Sequence, residues 1–177
     1  MRITFERVSP DQHEKVAKVY ELIRDCGREM LEKQGLSHWG SPYPLESVQK
    51  DCEQREVFLA VNLDTGIYVH TFQLEFFGCA DSWEAGVIGE DGKCKRQLVA
   101  EVHKFCTAPK YGGMGIGTQS MNFIEEYCRS RRVSTITLDV YEKSKHAINF
   151  YEHRGFVIKG RKNTRRFVVF TMEKHLF

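Results

Sequence analysis

Pro109-Lys110-Tyr111-Gly112-Gly113-Met114-Gly115-Ile116-Gly117 is the stretch whose reading decides the fold. It follows an extended run at residues 102–108 and opens a helical pattern at residues 118–129. Four glycines therefore crowd the point where a strand becomes a helix. Glycine there lets backbone N–H groups turn toward a ligand with no Cβ in the way. The first N–H groups of a helix lack partners within it, and the helix dipole adds partial positive charge. Anions bind at such places, phosphates above all. The stretch predicts a phosphorylated small molecule held at the start of that helix.

Working outward, residues 98–108 read as the strand leading into the turn. Beyond the helix, Thr135-Ile136-Thr137-Leu138-Asp139-Val140 alternates and is rich in β-branched residues, which predicts another strand. A strand–helix–strand unit implies a parallel pair joined by a crossover. Residues 144–153 read as a short helix with Ser144 as N-cap, Ala147, Phe150 and Tyr151 on one side, and Gly155 as its stop. Two closing strands, at 156–158 and 166–172, flank a basic turn at 160–165.

Toward the N-terminus, residues 3–8 form a first strand pattern, and Ser9-Pro10-Asp11 starts a helix. Val16, Val19, Tyr20 and Ile23 recur at helical spacing, and Gly35 is the expected stop. Residues 37–44 are loop-like, and 45–54 predict a short helix. Residues 57–62 and 67–77 read as a hairpin around Asp64-Thr65-Gly66. Residues 78–96, with Gly86, Gly89, Gly92 and a lone Trp83, give no periodic signal and read as an irregular loop. The expected fold class is α/β, one domain over residues 1–177, with a mixed, mostly antiparallel sheet and flanking helices.

Composition narrows the function classes. The 177 residues are 41% hydrophobic and 28% charged, ordinary for a globular chain with one substantial core. A formal net charge of +2 gives no bulk argument for nucleic acid or a membrane surface. No apolar stretch is long enough to span a bilayer, and residues 1–7 lack a signal-peptide core, so the expectation is a cytoplasmic protein. Cys26, Cys52, Cys79, Cys94, Cys106 and Cys128 include no Cys-x-x-Cys pair, so neither a metal site nor a redox motif is expected and free thiols are.

The back half resembles the GNAT superfamily of acetyl-CoA-dependent N-acetyltransferases. That family has a strand, a Gln/Arg-x-x-Gly-x-Gly/Ala turn and a helix, then an Ala-x-x-Phe-Tyr-x-x-x-Gly-Phe block. Here Gly112 to Gly117 occupy the turn, with Pro109 and Tyr111 before it. Ala147-Ile148-Asn149-Phe150-Tyr151-Glu152-His153-Arg154-Gly155-Phe156 matches the block at every defined position. A helix and a strand separate the two. The early Gly-Leu-Ser-His-Trp segment, residues 35–39, resembles a Gly-x-x-Gln-Trp feature of some bacterial members. Two positions depart from the pattern: Gly112 stands for the usual Gln or Arg, and Ser144 for an Asn that many members carry near the pantetheine arm.

The resemblance implies acetyl-CoA as cosubstrate, bound where the strand before the turn splays from its parallel neighbour. It assigns Phe105, Cys106 and Thr107 to main-chain contacts with pantetheine, Gly112, Gly113, Gly115, Gly117 and Thr118 to the pyrophosphate, Ser144 to the pantetheine side, and Tyr151 to the role of general acid. The ordinary alternative for Tyr151 is a core aromatic beside Phe150. Period-2 alternation puts Glu101 and His103 on one strand face with Phe105, and the family often draws its base from this strand; the alternatives are a surface carboxylate, a satisfied histidine and a water-mediated base. His38, Trp39 and Tyr43 on the early loop are substrate-side candidates, with core packing the alternative for Trp39.

Other readings compete. A dinucleotide turn needs Gly-x-Gly-x-x-Gly after a first strand, and this turn lies late with the wrong spacing. A Walker loop is excluded because no Gly-Lys-Ser/Thr follows. The arginines at 129, 131 and 132 and the basic cluster at 160–166 read as solvated ends, with attraction of an acidic substrate or the 3′-phosphate of CoA as the alternative for the latter. The sequence thus predicts acetyl transfer to the primary amine of a small molecule or peptide, with a catalytically silent acyl-CoA sensor as the competing class and homodimer formation open.

Overall fold

The computed structural model describes residues 1–39, 44–78 and 98–177. Tyr43, Trp83, Cys79, Cys94 and the glycines at 86, 89 and 92 lie outside the described residues. Among the described residues, seven strands form one sheet: β1 (Ile3–Val8), β2 (Glu56–Asn62), β3 (Tyr68–Gly78), β4 (Leu98–Thr107), β5 (Val133–Tyr141), β6 (Val157–Asn163) and β7 (Val168–His175). Their order is β1-β2-β3-β4-β5-β7-β6. Only β4 and β5 pair in parallel; the other neighbours are antiparallel. The expected mixed sheet with one parallel crossover is therefore the observed one.

Helices cover both faces. α1 (His13–Gln34) and α2 (Leu45–Gln54) bury Val16, Val19, Ile23, Val48 and Cys52 against Val57, Leu59 and Cys106. α3 (Ile116–Ser130) and α4 (Lys145–His153) bury Met121, Ile124, Cys128 and Tyr151 against Phe72, Leu74, Ala100, Ile136 and Met172 on the other face. Burying each such aliphatic side chain contributes roughly 1.5–3 kcal/mol, so the two apolar stripes fix which face each helix takes. No helix of the described residues is long and apolar enough to cross a membrane. Cys26, Cys52, Cys106 and Cys128 are free and buried.

Local boundaries differ from the sequence reading in three places. α1 begins at His13 rather than at the proline: the Gln12 amide bonds to Ser9 O and the Gln12 side chain accepts from the Ser9 N–H, so residues 9–12 make a turn ahead of the helix. The basic segment expected as a turn at 160–165 is mostly strand. β6 runs to Asn163 because it has β7 to pair with, and the chain reverses at 164–167, where Thr164 bonds to Phe167 O through both its amide and its hydroxyl. Ser144 sits at the N-cap of α4, yet its hydroxyl makes no capping bond. At the other end of α1 the expectation holds: Gly35 is left-handed at φ 64° and closes the helix with bonds from Gly35 and Leu36 to Leu31 and Met30.

Candidate active site

The site is built where β4 and β5 separate. Their parallel pairing runs from Leu98–Val133 to Val102–Leu138 and goes no further. Past that point the β5-facing edge of residues 103–107 has no strand partner. On its other side β4 stays paired with β3, but with one extra residue: Gln73 opposes His103, and Thr71 opposes Cys106. Two steps on β3 thus match three on β4, and Lys104 takes up the surplus at φ 50°. This is a β-bulge.

The bulge corrects one sequence expectation. Strict alternation put Phe105 on the same face as Glu101 and His103. In the structure, Glu101 and His103 oppose Glu75 and Gln73, whose amide bonds to Asp51 of α2, so these side chains take the α1/α2 face. Phe105 instead packs edge-on against His70 at 4.4 Å and near Phe150 and Tyr151 on the α3/α4 face. Cys106 returns to the α1 face beside Cys26, whose thiol bonds to Thr107 O at 3.0 Å. One inserted residue swaps the face of everything downstream.

Two cavities flank the split. The first, about 440 Å³, is lined by Phe105, Cys106, Thr107, Gly112, Gly113, Gly115, Gly117 and Thr118, with His146, Ala147, Phe150 and Tyr151 on the far wall. The structure thus brings together eight of the nine residues expected at the cofactor. Ser144 is the ninth, and it lines the neighbouring cavity instead. Pro109–Tyr111 forms a short 3-10 turn and uses up the Gly112 amide in a bond to Pro109 O. Gly113 and Gly115 both sit at φ 74°, where an L side chain is strained. Among the described residues, no side-chain or loop acceptor bonds the amides of Gly113 through Thr118. A row of N–H groups at the start of α3, in residues that line this cavity, is thus left without such a partner.

The second cavity, about 400 Å³, holds Glu101, His103, Lys104, Asp139 and Tyr141 along the split, and His38, Trp39, Ser144 and Phe167 around it. Phe105, Ala147 and Tyr151 line both cavities. Burial pushes the Tyr151 phenol up, with Cys106 adding to the shift, so it holds its proton at neutral pH. Burial also raises Glu101, reinforced by the Asp139 carboxylate. His103 is lowered to about 4 by burial and then by Arg55, and it is therefore a neutral imidazole near pH 7. Its Nε2 lies 3.3 Å from Glu75 Oε2 and 3.9 Å from Glu101 Oε1.

Some site residues gave no signal in the sequence. His70 is fully buried under the first cavity, lowered to about 3 by burial, with Nδ1 2.8 Å from Thr107 Oγ1. Tyr141 and Phe167 reach the second cavity from the end of β5 and from the β6–β7 reversal. The position of Tyr141 at the end of a parallel strand was the one available clue. Arg131, expected as a solvated helix end, pairs with Glu56 at 2.9 Å and lies over the Tyr127 ring at 4.5 Å. Among the described residues, no group of three or more His, Cys, Asp or Glu side chains is arranged to hold a metal ion.

A split parallel pair beside a glycine turn at a helix start defines an acyl-CoA-dependent acyltransferase architecture. The chain belongs to the acetyltransferase (GNAT) family, whose model matches residues 18–156. It is an N-acetyltransferase with acetyl-CoA as cosubstrate. No curated protein sequence matches it. Its fold is similar to that of a chain of the NatC complex bound to Gag peptide and CoA (TM-score 0.72, 17% identity, 100% of both chains covered). It is also similar to the ribosomal-protein-S18-alanine N-acetyltransferase from Escherichia coli (0.68, 14%, 99% of this chain and 94% of that one). A third is a spermidine N-acetyltransferase SpeG chimera from Vibrio cholerae and hSSAT (0.67, 15%, 99% and 96%).

Proposed function

We propose that acetyl-CoA lies along the first cavity, that a primary amine enters through the second, and that the acetyl group passes between them by direct attack. The observation that carries this reading is the meeting of the two cavities at Phe105, Ala147 and Tyr151, beside the unpaired edge of β4. In it, the open amides of residues 113–118 hold the pyrophosphate, and the edge of residues 105–107 bonds the pantetheine.

The amine attacks as the neutral base, so its ammonium proton must leave first. Glu101, raised by burial and facing the second cavity, takes that proton directly or through water. His103, lowered to about 4, is too weak a base for the task, and in this reading it serves as a neutral neighbour of Glu75 and Glu101. The nitrogen bonds to the thioester carbonyl carbon, a main-chain N–H of the bulge stabilises the oxyanion, and the C–S bond breaks. Tyr151 gives its proton to the departing thiolate and is reprotonated by the second proton that the acylated nitrogen sheds.

Calorimetry with acetyl-CoA and thiol release with a panel of amines test the reading together. The expected result is micromolar acetyl-CoA binding and amine-dependent release of CoA. Absence of acetyl-CoA binding at millimolar ligand removes the whole account, whereas tight binding with no turnover favours an acyl-CoA-binding module.

A further inference from the structure

The walls of the second cavity are of two kinds. Three rings form a cluster on one side: His38 and Tyr141 are 4.6 Å apart between centroids, Tyr141 and Phe167 5.5 Å, and His38 and Phe167 6.1 Å. They come from the loop after α1, the end of β5 and the β6–β7 reversal, and Trp39 adjoins them. Burial, then the Lys104 charge, lowers His38 to about 4, so this wall carries no positive charge near pH 7. The same cavity is also lined by two acidic residues, Glu101 and Asp139. Asp139 accepts from Thr171 Oγ1 at 2.7 Å and pairs with the mostly exposed Lys162 at 3.2 Å. The Lys104 ammonium in the same cavity lies over the Trp39 ring, 5.6 Å from its centroid.

Three polar atoms of residues lining this cavity are buried without a hydrogen-bond partner among the described residues: Ser144 Oγ, His38 Nδ1 and His103 Nε2, the last 3.3 Å from the Glu75 carboxylate. Ser144 as a residue is only 7% exposed. A buried hydroxyl left unpaired costs about 1–3 kcal/mol, which a turn of its side chain toward a ligand's polar atom recovers. The lining therefore asks for three things in one molecule: a cationic amine for the carboxylates, a bulky apolar group for the rings, and a hydrogen-bonding group between them.

We propose, building on the acetyl-transfer reading, that the acceptor is a primary amine carried within a carbon or two of a bulky aromatic or branched aliphatic group. A slender polyamine leaves the ring wall wet and has two carboxylates to meet several charges. Two sources present the favoured chemistry: a free arylalkylamine, and a polypeptide N-terminus whose first residue is large and apolar. In the second, the first peptide group meets Ser144 and His38.

The test is thiol release by the full chain with saturating acetyl-CoA. The acceptors are 2-phenylethylamine, tryptamine, spermidine, and short peptides beginning with Leu, Phe, Gly or Asp. The expected result is kcat/KM at least tenfold higher for apolar-bearing amines than for spermidine or the Gly- and Asp-first peptides. Preference for the free amines, or for the Leu- and Phe-first peptides, identifies the source. Phe167→Ala raises KM for those acceptors about tenfold, the size of a lost aromatic contact, and leaves acetyl-CoA affinity unchanged by calorimetry. Phe167→Leu, which keeps an apolar plug in the hairpin, gives a smaller rise in the same direction. Preference for spermidine or Gly-first peptides, or acetyl-CoA binding with no turnover of any apolar amine, overturns the proposal. Loss of acetyl-CoA binding in the native chain sinks the transferase reading instead.

Discussion

Glu101 and Phe105 lie four residues apart on one strand, yet their side chains stand on opposite faces of the sheet, because Lys104 is inserted between them at φ 50°. Four residues of regular strand would keep both on one face. The consequence is functional geometry. The acidic side chain lines the second cavity while the ring packs against His70 and Phe150 on the opposite face.

The left-handed backbone at Lys104 leads to a first prediction. A β-branched residue is strained there and glycine is not. Lys104→Val and Lys104→Gly lose the same side-chain contacts, so their difference reports on the backbone. The Gly variant is expected to be more stable than the Val variant by about 1–2 kcal/mol, read from chemical denaturation midpoints. Equal stabilities would mean that the bulge is not fixed at this residue.

Tyr151 is expected to matter for turnover and not for cosubstrate affinity. Tyr151→Phe keeps the ring that packs against Phe105 and Phe156 and removes only the hydroxyl. A fall in kcat of about 10²-fold, with acetyl-CoA affinity within twofold of the parent, is the expected split. An unchanged kcat takes Tyr151 out of the proton path.

As the proposed base, Glu101 is expected to set the acid limb of the pH profile. A general base must be deprotonated, so kcat/KM falls as pH drops through its pKa. Burial and then Asp139 move that point up from the ordinary glutamate value. Glu101→Gln is expected to abolish the limb and lower the plateau, while His103→Gln leaves the limb where it was. A limb that survives in Glu101→Gln and vanishes in His103→Gln reverses the assignment.

Glu125 ties the α3/α4 layer together. Its carboxylate is 2.7 Å from Lys174, 3.1 Å from Arg154 and 3.5 Å from Arg129. Burial opposes its charge, but the bonds from Lys174 and Arg154 outweigh that, and its pKa is lowered. A lowered folded-state pKa gives stability that is present above the unfolded value and is lost as pH falls through the folded one. Glu125→Gln is expected to cost about 2–3 kcal/mol at neutral pH. The difference from the parent should shrink below pH 4, the ordinary carboxylate range. A pH-independent difference would point to packing rather than charge.

Gly27 on α1 fits against the loop that carries the ring wall. A Cβ there would stand 2.6 Å from Trp39 O, which is backbone and cannot rotate away. Gly27→Ala is expected to displace Trp39, cost about 1–3 kcal/mol and raise the acceptor KM more than the acetyl-CoA KM. The comparison of the two KM values by steady-state kinetics is the check.

The sequence by itself determined the order of elements and the glycine turn at the start of α3. Gly112 to Gly117 between a strand and a helix, and Ala147 to Phe156 a helix and a strand later, are local patterns: each needs only its own residues to set backbone direction and face. The tertiary structure alone decided the second cavity. The bulge at Lys104 exists because β4 must match β3 while parting from β5, a demand between strands that alternation within one strand does not contain. The cluster of His38, Tyr141 and Phe167 draws on three segments more than 20 residues apart in the chain, and Ser144, a fair N-cap by its type, lines that cavity with its hydroxyl buried and making no capping bond. Residues far apart in sequence meet only when the sheet closes, and burial at that meeting point then sets the charge states on which the chemistry depends.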